Sequence, residues 1–320
     1  MKAIEYTCFG EPEVLTLTEK NKPEPVKGEV RVKVAAAGLN PIDYKTRKGL
    51  GFVAAQISAQ LNDGVGWVPG YDIAGVIDAV GEGCEDWSVG DRVMGMIGFP
   101  LSAGACAEYV VTSSELLCRA PENIDLEVAA GVPLAALTAW QALFEIGSIN
   151  EGDKVLIHAA AGGVGHFAVQ LAKSRGAYVI ATASGHNHDF LHAIGVDEAI
   201  DYTKTDFVEA CYGLDFVLDT MGGDIGQWSL KVLASHGQLV TVPTVTAESI
   251  IKEGNKLGIK TAGLTVHPDA AILAEIAELI ETETLKVHID KVYSLEDAVQ
   301  AHTQLETGHV RGKLVLKLND

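Results

Sequence analysis

The spacing of hydrophobic and polar positions changes texture twice along the chain, near residue 120 and again near residue 267. Up to about residue 121 the apolar positions form short alternating runs punctuated by glycines. Residues 1–6 read as a first strand, and 30–36, 73–80, 92–96 and 107–111 as further strands. Turn signals stand at Gly28, Gly81-Glu82-Gly83 and Gly90-Asp91. Short strands at such intervals predict an all-β unit. From about residue 123 strands alternate with helical spacing. Strands are predicted at 154–158, 178–182, 199–202, 215–219, 238–242 and 259–266, and helices at 165–175 and 188–194. That alternation predicts a parallel, doubly wound sheet. In the tail, Ile272, Leu273, Ile276 and Leu279 mark an amphipathic helix over 269–281. A strand at 288–292, a helix at 295–305 and a closing strand at 313–317 follow.

The expected fold is therefore α/β. A Rossmann unit spans residues 123–266, between the two parts of a mostly β unit, 1–122 and 267–320. Residues 128–144 are the most apolar stretch. Pro133, Thr138 and Gln141 interrupt it, and it is short for a membrane span, so a buried helical segment is expected there.

Composition narrows the partners. The 320 residues are 48% hydrophobic, enough for more than one core. A formal charge of −19 repels nucleic acid and anionic lipid, so neither is expected as a main partner. Cys8, Cys84, Cys106, Cys118 and Cys211 lie far apart and form no C-x-x-C pair. They predict neither a disulfide framework nor a cysteine zinc site, but free thiols in a reducing cytoplasm. Residues 1–6 carry no signal-peptide pattern.

The strand at 154–158 runs into Ala160-Ala161-Gly162-Gly163-Val164-Gly165, and a helix follows. A pyrophosphate can approach backbone closely only where side chains are missing, and the helix start offers unpaired N–H groups and a positive dipole end. Gly162, Gly163 and Val164 are thus candidate cofactor contacts, with Gly165 allowing helix and strand to pack. Ala160 replaces the first glycine of the usual fingerprint. An NAD site usually ends the second strand with a carboxylate. Here the residues are Thr182-Ala183-Ser184-Gly185-His186-Asn187, and no carboxylate comes before Asp189. Ser184 can bond a 2′-phosphate, and His186 is the nearest substitute for the missing cation, which points to NADPH. Alternatively, Ser184 and Asn187 cap the next helix.

Further motifs carry a resemblance. They are Gly10-Glu11-Pro12-Glu13-Val14-Leu15, Gly38-Leu39-Asn40-Pro41-Ile42-Asp43-Tyr44-Lys45 and Pro69-Gly70-Tyr71-Asp72-Ile73-Ala74-Gly75-Val76. Gly90-Asp91-Arg92-Val93, Gly104-Ala105-Cys106-Ala107-Glu108-Tyr109, Leu137-Thr138-Ala139 and Gly312-Lys313-Leu314-Val315-Leu316 complete the set. In order and spacing the chain resembles, nearly end to end, the zinc-independent quinone oxidoreductase (zeta-crystallin-like) branch of the medium-chain dehydrogenase/reductase superfamily. The resemblance implies that the β unit is a GroES-like catalytic domain, that hydride passes from the nicotinamide C4 to a quinone or activated alkene in a cleft, and that the protein is a homodimer. It also implies site positions for Asn40, Asp43, Tyr44 and Lys45, and a nicotinamide-side contact for Thr138. Tyr202 is expected beside the adenine and Lys313 near the pyrophosphate. Ordinary packing, turn or surface roles are open to each.

Zinc-dependent relatives have a cysteine near the Asn40 segment and a histidine where this chain has Tyr71. Neither ligand is present, and no structural zinc loop is visible, so no metal is expected. His186, His188 and His192 read as a solvated helix face. Without a Lewis acid, a quinone or enone accepts hydride more readily than a ketone, because charge spreads onto an oxygen that hydrogen bonds can stabilise. Asn40 would orient the ribose or the substrate oxygen. Tyr44 or water would supply a proton, and Lys45 would stabilise an enolate-like charge. The expected activity is an NADPH-dependent quinone oxidoreductase. The alternatives are a reductase of the C=C bond of α,β-unsaturated carbonyls and a non-enzymatic crystallin-like protein.

Overall fold

In chain order the backbone forms β1 (Lys2–Glu5), β2 (Thr16–Glu19), β3 (Glu29–Leu39), α1 (Pro41–Arg47), α2 (Gly51–Asn62), β4 (Asp72–Val80), β5 (Arg92–Met96), β6 (Tyr109–Ser113), β7 (Leu117–Arg119), α3 (Leu126–Ala129) and α4 (Pro133–Trp140). There follow β8 (Lys154–Ile157), α5 (Gly163–Ser174), β9 (Tyr178–Ala183), α6 (His188–Ala193), β10 (Glu198–Asp201), α7 (Phe207–Ala210), β11 (Leu214–Asp219), α8 (Gly223–Ser229), β12 (Leu233–Thr241), α9 (Thr244–Leu257) and β13 (Lys260–Gly263). The last elements are α10 (Ala270–Glu281), β14 (Ile289–Ser294), α11 (Ala298–Glu306) and β15 (Lys313–Lys317). This is a computed structural model, and it describes residues 1–319. Two compact units divide the chain: residues 1–134, 267–282 and from Val287 on form the first, and 135–266 with 283–286 form the second.

The first unit is built on β3, whose eleven residues alternate long enough to pair with three strands. Its sheet runs β14-β15-β3-β4-β5-β7, and β6 also pairs with β3. All of these pairs are antiparallel except β14 with β15. A parallel pair needs a crossover, and α11 supplies it. The core gathers Val30, Val32, Val34, Ile73, Ile77, Leu314 and Leu316 with Val53, Ile57 and Leu61 of α2. Residues 50–67 therefore contain a helix with a buried stripe (Val53, Ala54, Ile57, Leu61), while Phe52 faces outward.

In the second unit the sheet order is β10-β9-β8-β11-β12-β13, all parallel. With β8 as the first strand, this is the 3-2-1-4-5-6 order of a doubly wound dinucleotide-binding sheet. The chain reverses direction of build-up between β8 and β11, which makes the carboxyl end of β8 the switch point where such sheets take ligands.

Several boundaries differ from those predicted. The 107–111 strand begins two residues later, at Tyr109. Residues 128–144 form no single helix: α3 ends, α4 begins at Pro133, and a π-helix covers Gln141–Ile146. α9 was not predicted: Ala247, Ile250, Ile251 and Gly254 fall at helical spacing, but the stripe is narrow, with only Ile250 and Gly254 buried, and the rest of the helix is polar. Among the described residues no helix is long and apolar enough to cross a membrane.

Candidate active site

The register of β3 assembles a charged cluster in the first unit. Gly38 faces Asp72 across β4, and Leu39 faces Leu314 across β15. Asn40, one residue past the end of β3, is thereby flanked by the first residues of both neighbours, Asp72 and Lys313. All three are buried. Asn40 Nδ2 donates to Asp72 Oδ2 at 2.8 Å, and Lys313 Nζ donates to Asn40 Oδ1 at 2.5 Å and to the Leu39 carbonyl at 2.8 Å. Lys313 Nζ also lies 3.7 Å from Asp72 Oδ2. The second Asp72 oxygen accepts the Leu134 N–H, at the start of α4, at 2.8 Å. Burial pushes the Asp72 carboxyl up and the Lys313 ammonium down, and each partner's opposite charge resists the shift.

Lys313 corrects an expectation. It was read as a pyrophosphate contact or a surface lysine. Instead its ammonium is enclosed and committed to Leu39, Asn40 and Asp72. Asn40 is likewise committed at both ends of its amide, so it fixes the start of α1 and has only one Nδ2 hydrogen left to offer.

Asp43 is just as occupied. Its Oδ2 accepts the Asn40 N–H at 2.8 Å, the carboxylate half of a helix-capping arrangement, and its Oδ1 accepts the Gly70 N–H at 3.2 Å. Gly70 has φ +94, and a Cβ there would sit 2.9 Å from both Ala105 Cβ and Cys106 Sγ, so only glycine lets the backbone reach Asp43. Burial raises the Asp43 pKa to about 7, and nearby Asp72 adds to the rise, against the two backbone hydrogen bonds and Lys313. Tyr44 and Lys45 differ from these groups. Both are half-buried on α1, and among the described residues neither Tyr44 Oη nor Lys45 Nζ has a hydrogen-bond partner. Burial raises the Tyr44 pKa and lowers that of Lys45. Of the four predicted residues, these two remain chemically uncommitted.

In the second unit, β8 ends in a sharp turn with Ala159 at φ 47, and α5 starts after Gly162. The first intrahelical acceptor is the Gly162 carbonyl, bonded by His166 N–H at 3.1 Å. The amides of Gly163, Val164 and Gly165 precede that bond and face outward from the helix start. A Cβ on Gly165 would lie 2.4 Å from the Ala159 carbonyl oxygen and 2.6 Å from Ala160 Cα. The turn can hold its shape only without that side chain. Such a cradle fits a pyrophosphate, and the residues present fit a dinucleotide cofactor. Thr138, on α4, is buried.

The end of β9 holds a surprise. Ser184 and Asn187 bond each other, side chain to side chain at 3.3 Å and backbone to backbone at 2.9 Å. His186 is exposed beside them. Parallel pairing sets Asp201 opposite Ala183, so β10 delivers its own polar end to the same place. A Cβ on Gly185 would lie 2.6 Å from Asp201 Oδ2 and 3.7 Å from Lys204 Nζ. Asp201 pairs with Lys204 at 3.0 Å and accepts the Thr203 hydroxyl at 2.7 Å; these bonds hold its pKa down to about 2. Tyr202 stands between them, more than half exposed. A carboxylate, Asp201 at the end of β10, and a cation, Lys204 in the turn after it, thus stand beside Gly185.

A neutral polar network also escaped the sequence reading. His158, at the end of β8, lies between Thr182 Oγ1 and Ser229 Oγ, each at 2.9 Å. Ser229 donates its own hydrogen to the Ile225 carbonyl at 2.7 Å, so its oxygen accepts Nε2–H and Nδ1 accepts from Thr182. Burial lowers the His158 pKa to about 4, against the nearby Asp219 charge. Asp219 in turn binds the Met221 and Gly222 amides and the Thr241 hydroxyl.

Comparison with known proteins agrees with this arrangement. Residues 26–122 match the family model described as an alcohol dehydrogenase GroES-like domain, and residues 194–316 match that of a zinc-binding dehydrogenase. The chain is 33% identical to the 2-methylene-furan-3-one reductase of Solanum lycopersicum, over 99% of this chain and 79% of that protein. It is 30% identical to the mitochondrial NAD(P)H oxidoreductase RTN4IP1 of Danio rerio, over 97% of this chain and 89% of that one. The solved quinone oxidoreductase from Coxiella burnetii shares 42% identity and superposes with a TM-score of 0.95, covering 100% of this chain and 99% of that one. Fold and cofactor cradle define an oxidoreductase that uses a nicotinamide cofactor. The chain belongs to the medium-chain dehydrogenase/reductase superfamily, in its quinone oxidoreductase branch.

Proposed function

We propose that the protein is an NADPH-dependent, zinc-independent quinone oxidoreductase. The observation that carries this reading is the glycine cradle at the start of α5, at the switch point of the second sheet. When bound, the cofactor supplies a hydride from C4 of its nicotinamide. The substrate then needs a proton and a group to stabilise its developing oxyanion. Tyr44 and Lys45, uncommitted and half-buried, are suited to those roles, with Tyr44 Oη donating the proton and Lys45 Nζ facing the charge. Asn40 and Asp43 set the position of α1, on which both are carried.

NADPH is favoured over NADH because β9 ends in Ser184, and Lys204 provides a cation within reach of a 2′-phosphate. Lys204 pairs with Asp201 in the free protein, and this reading requires its exposed ammonium to turn from that carboxylate to the phosphate. Zinc independence is supported by Tyr71. It stands where zinc-dependent relatives have a histidine, and its hydroxyl is turned to the Pro100 carbonyl at 2.9 Å. Among the described residues no group of three or more His, Cys, Asp or Glu side chains could hold a metal ion. We also propose a homodimer, since β13 is an edge strand with its outer side open to pairing. A cytoplasmic location fits five free cysteines, four of them buried.

A C=C reductase is the second reading, favoured by the similarity to the tomato reductase. The two are separated by incubating the protein with a panel of quinones and alkenals and following NADPH absorbance, with NADH in parallel. Quinone turnover with an NADPH preference is expected. Turnover of alkenals alone sinks the quinone reading. Tyr44→Phe is expected to lower kcat roughly 10- to 100-fold with KM little changed; an unchanged kcat removes Tyr44 from the mechanism.

A further inference from the structure

At the far end of α1 from Asn40, the first unit buries polar atoms that bond nothing among the described residues. Arg47, the last residue of α1, is fully enclosed. Its Nη1 donates to the Gly10 carbonyl, and its Nη2 donates to the Glu306 carboxylate on α11. Arg47 Nε–H has no partner. His302, also on α11 and fully enclosed, has no partner at either ring nitrogen, and the buried Tyr6 hydroxyl has none. The Thr46 hydroxyl, one residue before Arg47, is likewise unpartnered.

These groups share one neighbourhood. α1 packs against α11. The Arg47 charge acts on both His302 and Tyr6, lowering the pKa of each. Burial is the larger effect on both: it takes His302 down to about 3, so the ring is neutral, and it drives the Tyr6 phenol up. Folded proteins leave few buried polar atoms unbonded, since each one left dry forfeits the hydrogen bonds it made with water when unfolded. Several at one helix junction call for an occupant.

The donor and acceptor set selects that occupant. Arg47 Nε only donates. A neutral imidazole donates at one nitrogen and accepts at the other, and a phenol does both. An anion would leave the unprotonated imidazole nitrogen, which can only accept, without a donor, and a cation would face the Arg47 N–H. Nor is there a net charge to attract an ion, because Arg47 and Lys48 are matched by Glu306, which pairs with both, and by Glu11, which pairs with Lys48. A mixed, neutral set matches water, which bridges such groups with two to four hydrogen bonds. We propose that internal water fills the space between Tyr6, Arg47 and His302 and joins α1 to α11. The end of the helix that carries Tyr44 and Lys45 is therefore a hydrated joint rather than a dry contact.

A crystal structure of the full chain at a resolution that shows ordered solvent tests this. The expected result is a solvent peak within hydrogen-bond distance of Arg47 Nε and of a His302 nitrogen or Tyr6 Oη. An empty space there, or direct bonds among the three side chains, overturns the proposal. So does a peak with an anomalous signal after bromide soaking, which would make the occupant an anion. In solution, oxygen-17 relaxation dispersion counts long-lived internal water. His302→Phe is expected to lose at least one such molecule relative to the unaltered protein, and an unchanged count refutes the site. If His302→Phe fails to fold, Tyr6→Phe removes a single hydroxyl and is read the same way.

Discussion

At the ends of β3, β4 and β15 the first unit buries Asp43, Asp72 and Lys313, three groups that can each carry charge. At the end of β8 the second unit buries His158 between two hydroxyls and keeps it neutral. Both regions hold backbone in position next to a candidate functional segment, but by different physics. In the first, a cation offsets carboxylates that could not otherwise be enclosed, so every member depends on the others. In the second, donors and acceptors match one to one, and proton uptake is what the network resists. One region is vulnerable to deletion of a partner and the other to acid.

The largest expected effect comes from Lys313→Met. It leaves Asp72 and the Asn40 carbonyl buried without their cation, and a loss of about 3–5 kcal/mol in urea unfolding is expected. Lys313→Met combined with Asp72→Asn should recover part of that loss. A neutral single variant would erase the contrast between the two regions.

Acidity probes the contrast from the other side. The unfolded chain takes up a proton on His158 near pH 6.5, whereas the folded protein resists it until about pH 4. Stability from this group is therefore present above pH 6.5 and is lost as pH falls toward 4, by about 3 kcal/mol in all. Asp43 works in the opposite sense. Its folded pKa, about 7, lies above the ordinary aspartate value of 3.8, so its contribution is present at low pH and is lost as pH rises from about 4 to 7. Urea unfolding across pH 4–7 should show His158→Asn with less acid loss than the unaltered protein, and Asp43→Asn with less loss toward neutrality. Matching slopes in all three proteins would mean that neither group titrates as described.

The smallest effect concerns the cofactor. Lys204→Ala is expected to raise KM for NADPH roughly fivefold and to leave KM for NADH unchanged, as suits an exposed cation near a phosphate. Ser184→Asp should weaken NADPH in the same direction. Equal changes for both cofactors would move these residues away from the 2′-position.

Much of the fold was legible because short strands bounded by turns leave a clear alternation. The 92–96 and 313–317 strands were read to the residue, and the glycine turn was found from its strand-and-helix context. α1 and α2 were missed, since their apolar positions share a stretch crowded with small residues and turn formers. At the site, the family resemblance named Asn40 and Asp43, but the side chains that Asn40 bonds come from other strands. Asp72 and Lys313 meet Asn40 through sheet register across 32 and 273 positions, which no local pattern encodes. Lys204 was overlooked for the same reason. Following the chain from β9 leads away from the cation, while the adjacent strand brings it back.

The placing of Lys313 beside Asn40 has a consequence for synthesis. A ribosome delivers the second unit as nearly one continuous run, 135–266, and that sheet can close as soon as β13 emerges. The first unit must wait. Its central strand, β3, is made early and β6 covers residues 29–33 of one flank, yet residues 36–39 of that flank stay bare until β15 is translated. Throughout that interval Asn40 and Asp72 lack their cation, and the exposed edge of β3 is open to wrong pairings. A nascent chain stalled before residue 313 should therefore carry a finished cofactor unit beside an unfinished partner, and should be the species that chaperones hold.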